Sequence, residues 1–360
     1  MRILIDIGHP AHVHLFRNLA LDMVNKGHEI LFTCREKEFE IDLLSHYKLP
    51  FESLGKKPGS LTGKLTGLVK FDCKLFSVAR KFRPDLFLSH GSHYAAHVSL
   101  LTGRPHIALE DTYNFEQIWL YKPFTSVILT SDYEHPLKSG RVIRYSGYHE
   151  LAYLHPNRFI PDRSVLKELG MEESANYIII RFVSWQASHD IGHKGLSLED
   201  KLFSVTEFSR HAKVFISSEA VLPKELEKFR LNLSPERIHD ALAFSSLLFG
   251  ESSTMAEEAA ILGIPAFFLN NKSTYYSKHL EKEYGLLFNY SESESDLRES
   301  VRKGIELLNT PGVKQEWQEK RAKLLREKID VTPFLVWFVE NWPESFRIMK
   351  EDPDYQLRFR

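Results

Sequence analysis

At 360 residues with 43% apolar content, the chain is long for one domain and sufficient for two, each able to bury its own core. A formal charge of -1 excludes a global attraction to nucleic acid, and two cysteines, Cys34 and Cys73, exclude a disulfide framework or a Cys-type zinc site and fit a reducing, cytoplasmic compartment. No apolar run is long enough to span a bilayer, and the segment from Met1 to Asp6 reads as a short strand rather than a leader.

The N-terminal half alternates strands and helices, the signature of a parallel sheet. Strands are predicted at Arg2 to Asp6, Glu29 to Thr33, Asp85 to Ser89, His106 to Leu109 and Ser126 to Thr130, with helices from His12 to Lys26 and from Ala95 to Thr102. From Lys56 to Arg83, eight basic residues opposed only by Asp72 are interleaved with apolar ones. That pattern fits docking on anionic lipid, and it equally fits a solvated helix packing its apolar stripe on the sheet. Gly147 to Pro161, interrupted at Pro156 and Pro161, reads as a hinge. A second series of predicted strands follows at Tyr177 to Arg181, Lys213 to Ser217, Leu247 to Phe249 and Ala266 to Leu269, with helices near 199–210, 223–230, 239–245 and 255–262. A charged amphipathic helix then runs from Pro311 to Lys328, and Thr332-Pro333 opens an aromatic helix around Phe334 to Phe338. The expected division is an N-terminal domain over 1–150, a C-terminal domain over 151–335 and a helical segment over 336–360.

One segment carries the most chemistry. Gly250 to Pro265 reads as a strand end, a hydroxyl-rich turn and a short helix stopped at Gly263. Free N–H groups and the macrodipole at such a helix start favour phosphate. Thr254 and Glu257 have capping-box spacing, which leaves Glu258 as a carboxylate suited to the hydroxyls of a ribose.

The segment resembles the donor-nucleotide motif of two-domain GT-B proteins, namely the non-hydrolysing UDP-N-acetylglucosamine 2-epimerases and the N-acetylglucosaminyltransferase that forms lipid II. In those families the Ser/Gly turn binds the UDP diphosphate and a Glu on the next helix binds the ribose. The resemblance therefore implies that Ser252, Ser253 and Thr254 hold the diphosphate and Glu258 the ribose, although Ser253-Thr254 stand where the epimerases have Gly-Gly. The runs Gly147 to Leu154 and Ser184 to Gly192 also resemble a family labelled predicted glycosyltransferase. The implied architecture is α/β GT-B, with two Rossmann-like domains whose parallel sheets face a central cleft and C-terminal helices crossing back to the first domain.

The same resemblance distributes the remaining candidates. A Gly-Gly-His-Val segment of the transferase places His12 as general base, with His9 and His14 either beside it or simply capping the helix. Both relatives place a Glu at Glu110, to bind acceptor hydroxyls or orient the base, and an N-cap role falls to Asp111 or Thr112. His90-Gly91-Ser92-His93 stands where the epimerases have His-Gly-Asp, so Ser92 replaces a carboxylate that epimerisation uses. Arg181, His189 and Lys194 would offset the diphosphate charge, and His239 lies where relatives contact the uracil edge. His189, Asp190 and His193 could instead ligate a metal, but GT-B catalysis does not generally need one, and no metal or cofactor is expected.

The favoured reading is transfer of a sugar from a UDP-sugar to a glycan or lipid-linked hydroxyl acceptor in cell-surface glycan synthesis. The partners are those two substrates, with peripheral membrane contact through 56–83 and no nucleic acid. The alternatives are a UDP-N-acetylhexosamine 2-epimerase and a non-catalytic nucleotide-sugar binder.

Overall fold

The computed structural model describes residues 1–56, 61–172, 176–183, 195–218 and 221–360, with the side chains of 61–66 left aside. The chain divides into two units, one formed by Met1–Arg158 with Glu327–Arg360 and the other by Phe159–Arg326. The first boundary thus lies a few residues beyond the expected 150, and the return to the first unit begins at Glu327, before the expected 336.

In the first unit the order is β1 (Arg2–Ile7), α1 (Pro10–Asn25), β2 (Glu29–Glu36), α2 (Glu40–His46), β3 (Phe51–Lys56), α3 (Leu61–Phe82), β4 (Leu86–His90), α4 (His93–Thr102), β5 (His106–Leu109), α5 (Phe115–Tyr121), β6 (Val127–Ser131), β7 (Val142–Tyr145) and α6 (Leu151–Leu154). The seven strands form one parallel sheet in the order β3-β2-β1-β4-β5-β6-β7. Helices on both faces explain why β1 is apolar almost throughout, with Ile3, Leu4, Ile5 and Ile7 fully buried. Strand order reverses between β1 and β4, and the loops leaving those two strands are where such a sheet forms a ligand crevice.

Helix α3 carries most of the basic segment. Phe71, Leu75, Val78 and Ala79 are buried against Leu4, Phe87, Ala95 and Val98. Its apolar stripe is therefore core, and the exposed Lys70, Arg80 and Lys81 are its solvated face. Residues 57–60, part of the same expectation, lie outside the described residues.

The second unit contains α7 (Ser164–Glu168), β8 (Tyr177–Phe182), α8 (Leu198–Ser209), β9 (Lys213–Ser218), α9 (Ile238–Phe244), β10 (Leu247–Gly250), α10 (Ser253–Ile261), β11 (Ala266–Leu269), α11 (Tyr275–His279), β12 (Leu287–Tyr290), α12 (Glu294–Asn309) and α13 (Val313–Glu327). Its sheet is parallel, ordered β12-β11-β10-β8-β9, and reverses between β8 and β10. Ile178, Ile180, Phe208, Phe249 and Phe267 centre its core. The helix expected near 223–230 is only a 3-10 turn at Glu227–Phe229. Arg230 bridges to Ile216 and Leu231 N–H donates to the Ile216 carbonyl at 2.8 Å, so the chain is drawn out beside β9 instead.

After α13 the chain rejoins the first unit through α14 (Val331–Glu340) and α15 (Glu344–Glu351). Pro333 sits in the first turn of α14, where its missing N–H costs no helical bond. Thr332 Oγ1 donates to the Ala152 carbonyl at 2.6 Å, and the Phe334 and Tyr145 rings lie 5.4 Å apart. A Cβ on Gly147 would come within 2.7 Å of the Val331 side chain, so glycine is what permits the close approach.

Candidate functional site

The crevice of the first unit is built on Asp6, fully buried at the end of β1. Its carboxylate accepts from Thr33 Oγ1 at 2.8 Å, from Arg35 Nη1 at 2.9 and 3.1 Å and from Ser92 Oγ at 2.5 Å. Arg35 also donates to the Ile7 carbonyl at 2.7 Å, and any Cβ on Gly8 would meet Arg35 at 2.8 Å. This charge-assisted set fixes the turn into α1. Ser92 is consumed by it, since its hydroxyl donates to Asp6 and N-caps α4 by accepting from Ala95 N–H at 3.3 Å. His9 is the N-cap of α1, its Nδ1 accepting from Ala11 N–H at 3.2 Å. His14 points elsewhere, stacked on Tyr153 at 5.6 Å. His93 begins α4 and rests against Tyr94, with the ring centroids 4.0 Å apart.

His12 sits at the mouth of this turn, half-buried, with its Nδ1 accepting from Gly8 N–H at 3.3 Å. Burial, then His90 and His9, hold its pKa well below the ordinary imidazole value, and Asp111 offsets this only in part. The ring is therefore neutral near pH 7, and with Nδ1 accepting, its proton lies on Nε2.

The neighbouring ring has a carboxylate partner. His90 packs against His12 with centroids 4.5 Å apart, and its Nε2 is 2.9 Å from Asp111 Oδ1. His149, buried after β7, places Nδ1 2.9 Å from Asp111 Oδ2. One carboxylate thus faces two imidazoles, each on its own oxygen. Burial opposes charge on His90, but Asp111 outweighs it and lifts the pKa to about 9. Burial raises Asp111 while His90 and His149 lower it, and the net is a pKa well below the carboxylate range. Asp111 thus holds one ring nitrogen of His90, and the two form a carboxylate–imidazole pair. The ligand-type atoms of His90, Asp111 and His149 lie within 4.8 Å of one another, close enough to hold a metal; His90 Nε2 is hydrogen-bonded to Asp111, whereas both ring nitrogens of His149 are buried with no hydrogen bond among the described residues, Nδ1 resting 2.9 Å from Asp111 Oδ2.

Glu110 has a different role from the one expected. Thr112 N–H, Thr112 Oγ1 and Tyr113 N–H donate to its Oε1 at 2.7 to 2.9 Å, and the Tyr121 hydroxyl donates to Oε2. With both oxygens spent, this buried carboxylate anchors the loop after β5 and so places Asp111. The N-cap of α5 is Asn114 rather than Asp111 or Thr112.

In the second unit, Gly250 has φ +145, and a Cβ there would lie 2.1 Å from the Arg181 carbonyl oxygen. Only glycine permits that contact. Arg181 Nη1 donates to Ser217 Oγ at 2.8 Å. Ser252 is the N-cap of α10, accepting from Met255 N–H at 3.3 Å, and Ser253 and Thr254 are half-buried beside it. The N-cap thus lies two residues before Thr254, with Met255 at the third helical position, so the capping box expected at Thr254 and Glu257 does not form, and Glu257 is buried in the second turn. Glu258 Oε1 lies 3.0 Å from His239 Nε2, so two residues singled out separately form one buried pair. Arg237 beside it is engaged by Asp162, Glu168 and Asp240. His189 and Lys194, with the loop 184–194, lie outside the described residues.

Over residues 1–309 the sequence matches the family described as protein of unknown function (DUF354). The chain belongs to that family. Uncharacterized protein MJ0665 of Methanocaldococcus jannaschii is 26% identical over 273 residues, covering 72% of this chain and 79% of that protein. Among solved structures, a putative UDP-N-acetylglucosamine 2-epimerase from Listeria monocytogenes superposes with a TM-score of 0.65 at 13% identity over 91% of both chains. The spinosyn forosaminyltransferase SpnP gives 0.64 at 15% identity over 95% of this chain and all of that one. These likenesses identify the DUF354 chain as GT-B in fold.

Three residues of this DUF354 chain escaped the sequence reading. His90 was visible at a strand's carboxyl end but had no partner until Asp111 was placed. His149 follows β7, a strand whose four residues carry no distinct pattern. Glu251, buried at the turn after β10, accepts from Val183 N–H at 3.1 Å and Leu196 N–H at 2.7 Å, tying together the positions that flank 184–194.

Proposed function

We propose that this protein transfers a glycosyl group from a nucleotide-sugar, a UDP-sugar by its turn chemistry, to a hydroxyl acceptor in cell-surface glycan synthesis. The observation that carries the reading is the Asp111–His90 dyad beside His12 at the strand reversal of the first sheet. His12 Nε2–H holds the acceptor oxygen, and His90 Nδ1, in its neutral form, takes the hydroxyl proton as that oxygen bonds to the anomeric carbon. The bond from that carbon to the diphosphate breaks, and the electron pair leaves with the nucleotide. In the second unit, Ser252, Ser253 and Thr254 at the start of α10 receive the diphosphate, with Arg181 and the basic loop bearing His189 offsetting its charge, and Glu258, braced by His239, receives the ribose. No carboxylate occupies the Ser92 position, and the Ser92 hydroxyl is already bound to Asp6, which weighs against epimerisation at C2. We place the reaction in the cytoplasm, where the free thiols of Cys34 and Cys73 stay reduced.

The test is incubation with UDP-, GDP- and dTDP-sugars in D2O, followed by proton NMR and by thermal stability. A UDP-sugar at about 100 times its dissociation constant should stabilise the fold by about 2.7 kcal/mol and undergo slow hydrolysis without label at C2. Deuterium at C2 would make the protein an epimerase, and stabilisation with no turnover on any acceptor would make it a binder. The turnover should survive EDTA; its loss and recovery with Zn2+ or Mn2+ would turn His90, Asp111 and His149 into metal ligands.

A further inference from the structure

Six large apolar side chains of the first unit, Leu100, Leu101, Phe115, Trp119, Leu120 and Phe124, are between 38% and 68% exposed. They gather at the end of α4, along α5 and on the 3-10 turn Lys122–Phe124 that follows it. His97 joins the three elements: its ring lies 5.2 Å from that of Phe124, its Nε2 is 3.2 Å from the Leu120 carbonyl oxygen, and Leu100 and Leu101 are one turn further along α4. The charges around the patch are mainly positive, with exposed Glu116 and with Asp72, 3.0 Å from His97, as the acidic exceptions. Lys122 Nζ lies 6.0 Å from the Trp119 ring centre, Arg141 Nη1 donates to the carbonyls of Lys122, Pro123 and Thr125, and Arg104 is exposed just beyond α4. Between residues 97 and 125 the carboxylates are Glu110, Asp111 and Glu116, and the first two are turned into the unit, leaving Glu116 on the surface.

We infer that this α4–α5 surface seats the protein on an anionic lipid bilayer, with Trp119 and its apolar neighbours entering the interface and Lys122, Arg141 and Arg104 meeting the head groups. Contiguous exposed apolar area on a surface marks an interaction site, and aromatic side chains with a cationic rim suit the boundary between head groups and acyl chains. Among the described residues no helix is long and apolar enough to cross a membrane, so the attachment is peripheral. The position also serves the site: α4 starts one residue after Ser92 and spans about 15 Å by its ten residues, so a lipid-borne acceptor head could reach His12 from the interface. That last link rests on the transfer reading, whereas the surface itself does not.

Flotation of the whole protein with vesicles of phosphatidylglycerol and phosphatidylcholine, against phosphatidylcholine alone, tests it. The wild type should float with the anionic vesicles and release in high salt. Trp119→Ser with Leu101→Ser should lower binding by about tenfold or more, and Lys122→Glu should weaken it on anionic vesicles alone. Leu101 and Trp119 are exposed and Lys122 is half-buried, and unchanged melting temperatures confirm intact folds. Failure of the wild type to float, or equal flotation of the variants, would overturn the inference. A dimer in sedimentation equilibrium that Trp119→Ser dissolves would give the face to a second copy. UDP-induced stabilisation, measured on the same samples without lipid, reports separately on the transfer reading.

Discussion

His12 and His90 stand in van der Waals contact yet are tuned in opposite directions, because only His90 has a carboxylate on its ring nitrogen. A base must be deprotonated to act, so with His90 lifted to about 9, kcat/KM should rise with pH up to about 9 and level off above it. In Asp111→Asn the carboxylate that holds the proton is gone, so the midpoint should move to lower pH by more than one unit, with a fall in maximal rate of about 10²-fold. A pH profile unmoved by this substitution would take the base role away from His90. On the donor side, Glu258→Ala removes a charge-assisted contact worth about 1.5–3 kcal/mol, so UDP affinity measured by calorimetry should fall by about one to two orders of magnitude. Glu110→Gln tells anchor from catalyst: it should slow turnover by disordering the Asp111 loop and, since the Glu110 charge adds less than Asp111 to the raised His90 pKa, lower the pH midpoint by less than Asp111→Asn does.

At the scale of elements, the turn from β10 into α10 depends on Gly250. An alanine there combines a left-handed φ with a 2.1 Å overlap on the Arg181 carbonyl, and Gly250→Ala should cost about 3 kcal/mol or more in urea unfolding monitored by tryptophan fluorescence. Wild-type stability would show that β8 and β10 can separate at no cost. This turn was legible in sequence because a strand, a hydroxyl cluster and a helix stop all coincide there. Its cap was misplaced because Ser252, Ser253 and Thr254 are chemically interchangeable as caps, and only the Ser252 to Met255 contact distinguishes them. Long apolar strands such as β1 and β8 were readable for the same reason that they are buried on both faces. The short β7 and β12 were missed, since four residues carry too little periodicity, and with β7 went the position of His149. The basic stripe on α3 was read correctly as amphipathic, but periodicity alone does not reveal what its apolar face meets. Phe71 and Leu75 meet the sheet, and the apolar surface left outside lies on α4 and α5, where the sequence shows no regular pattern.

Across the whole molecule, the chain leaves the first unit at Arg158 and re-enters it at Glu327, so the first unit is completed by residues synthesised last. The contribution of those residues is packing: Phe334, Leu335, Phe338 and Val339 are fully buried, with Phe334 against Tyr145 at 5.4 Å and Phe359 at 5.8 Å. Phe334→Ala should therefore cost about 3–5 kcal/mol, and that loss belongs to the unit holding His12 and Asp111 although position 334 lies far from both in sequence. UDP, by contrast, acts on the unit holding Ser252 and Glu258. Differential scanning calorimetry of wild type and Phe334→Ala, each with and without UDP, should show the substitution lowering the first unit's transition while the nucleotide still raises that of the second. Loss of the UDP effect in Phe334→Ala would mean that the nucleotide site needs the first unit intact, and the assignment of donor binding to residues of the second unit alone would fall.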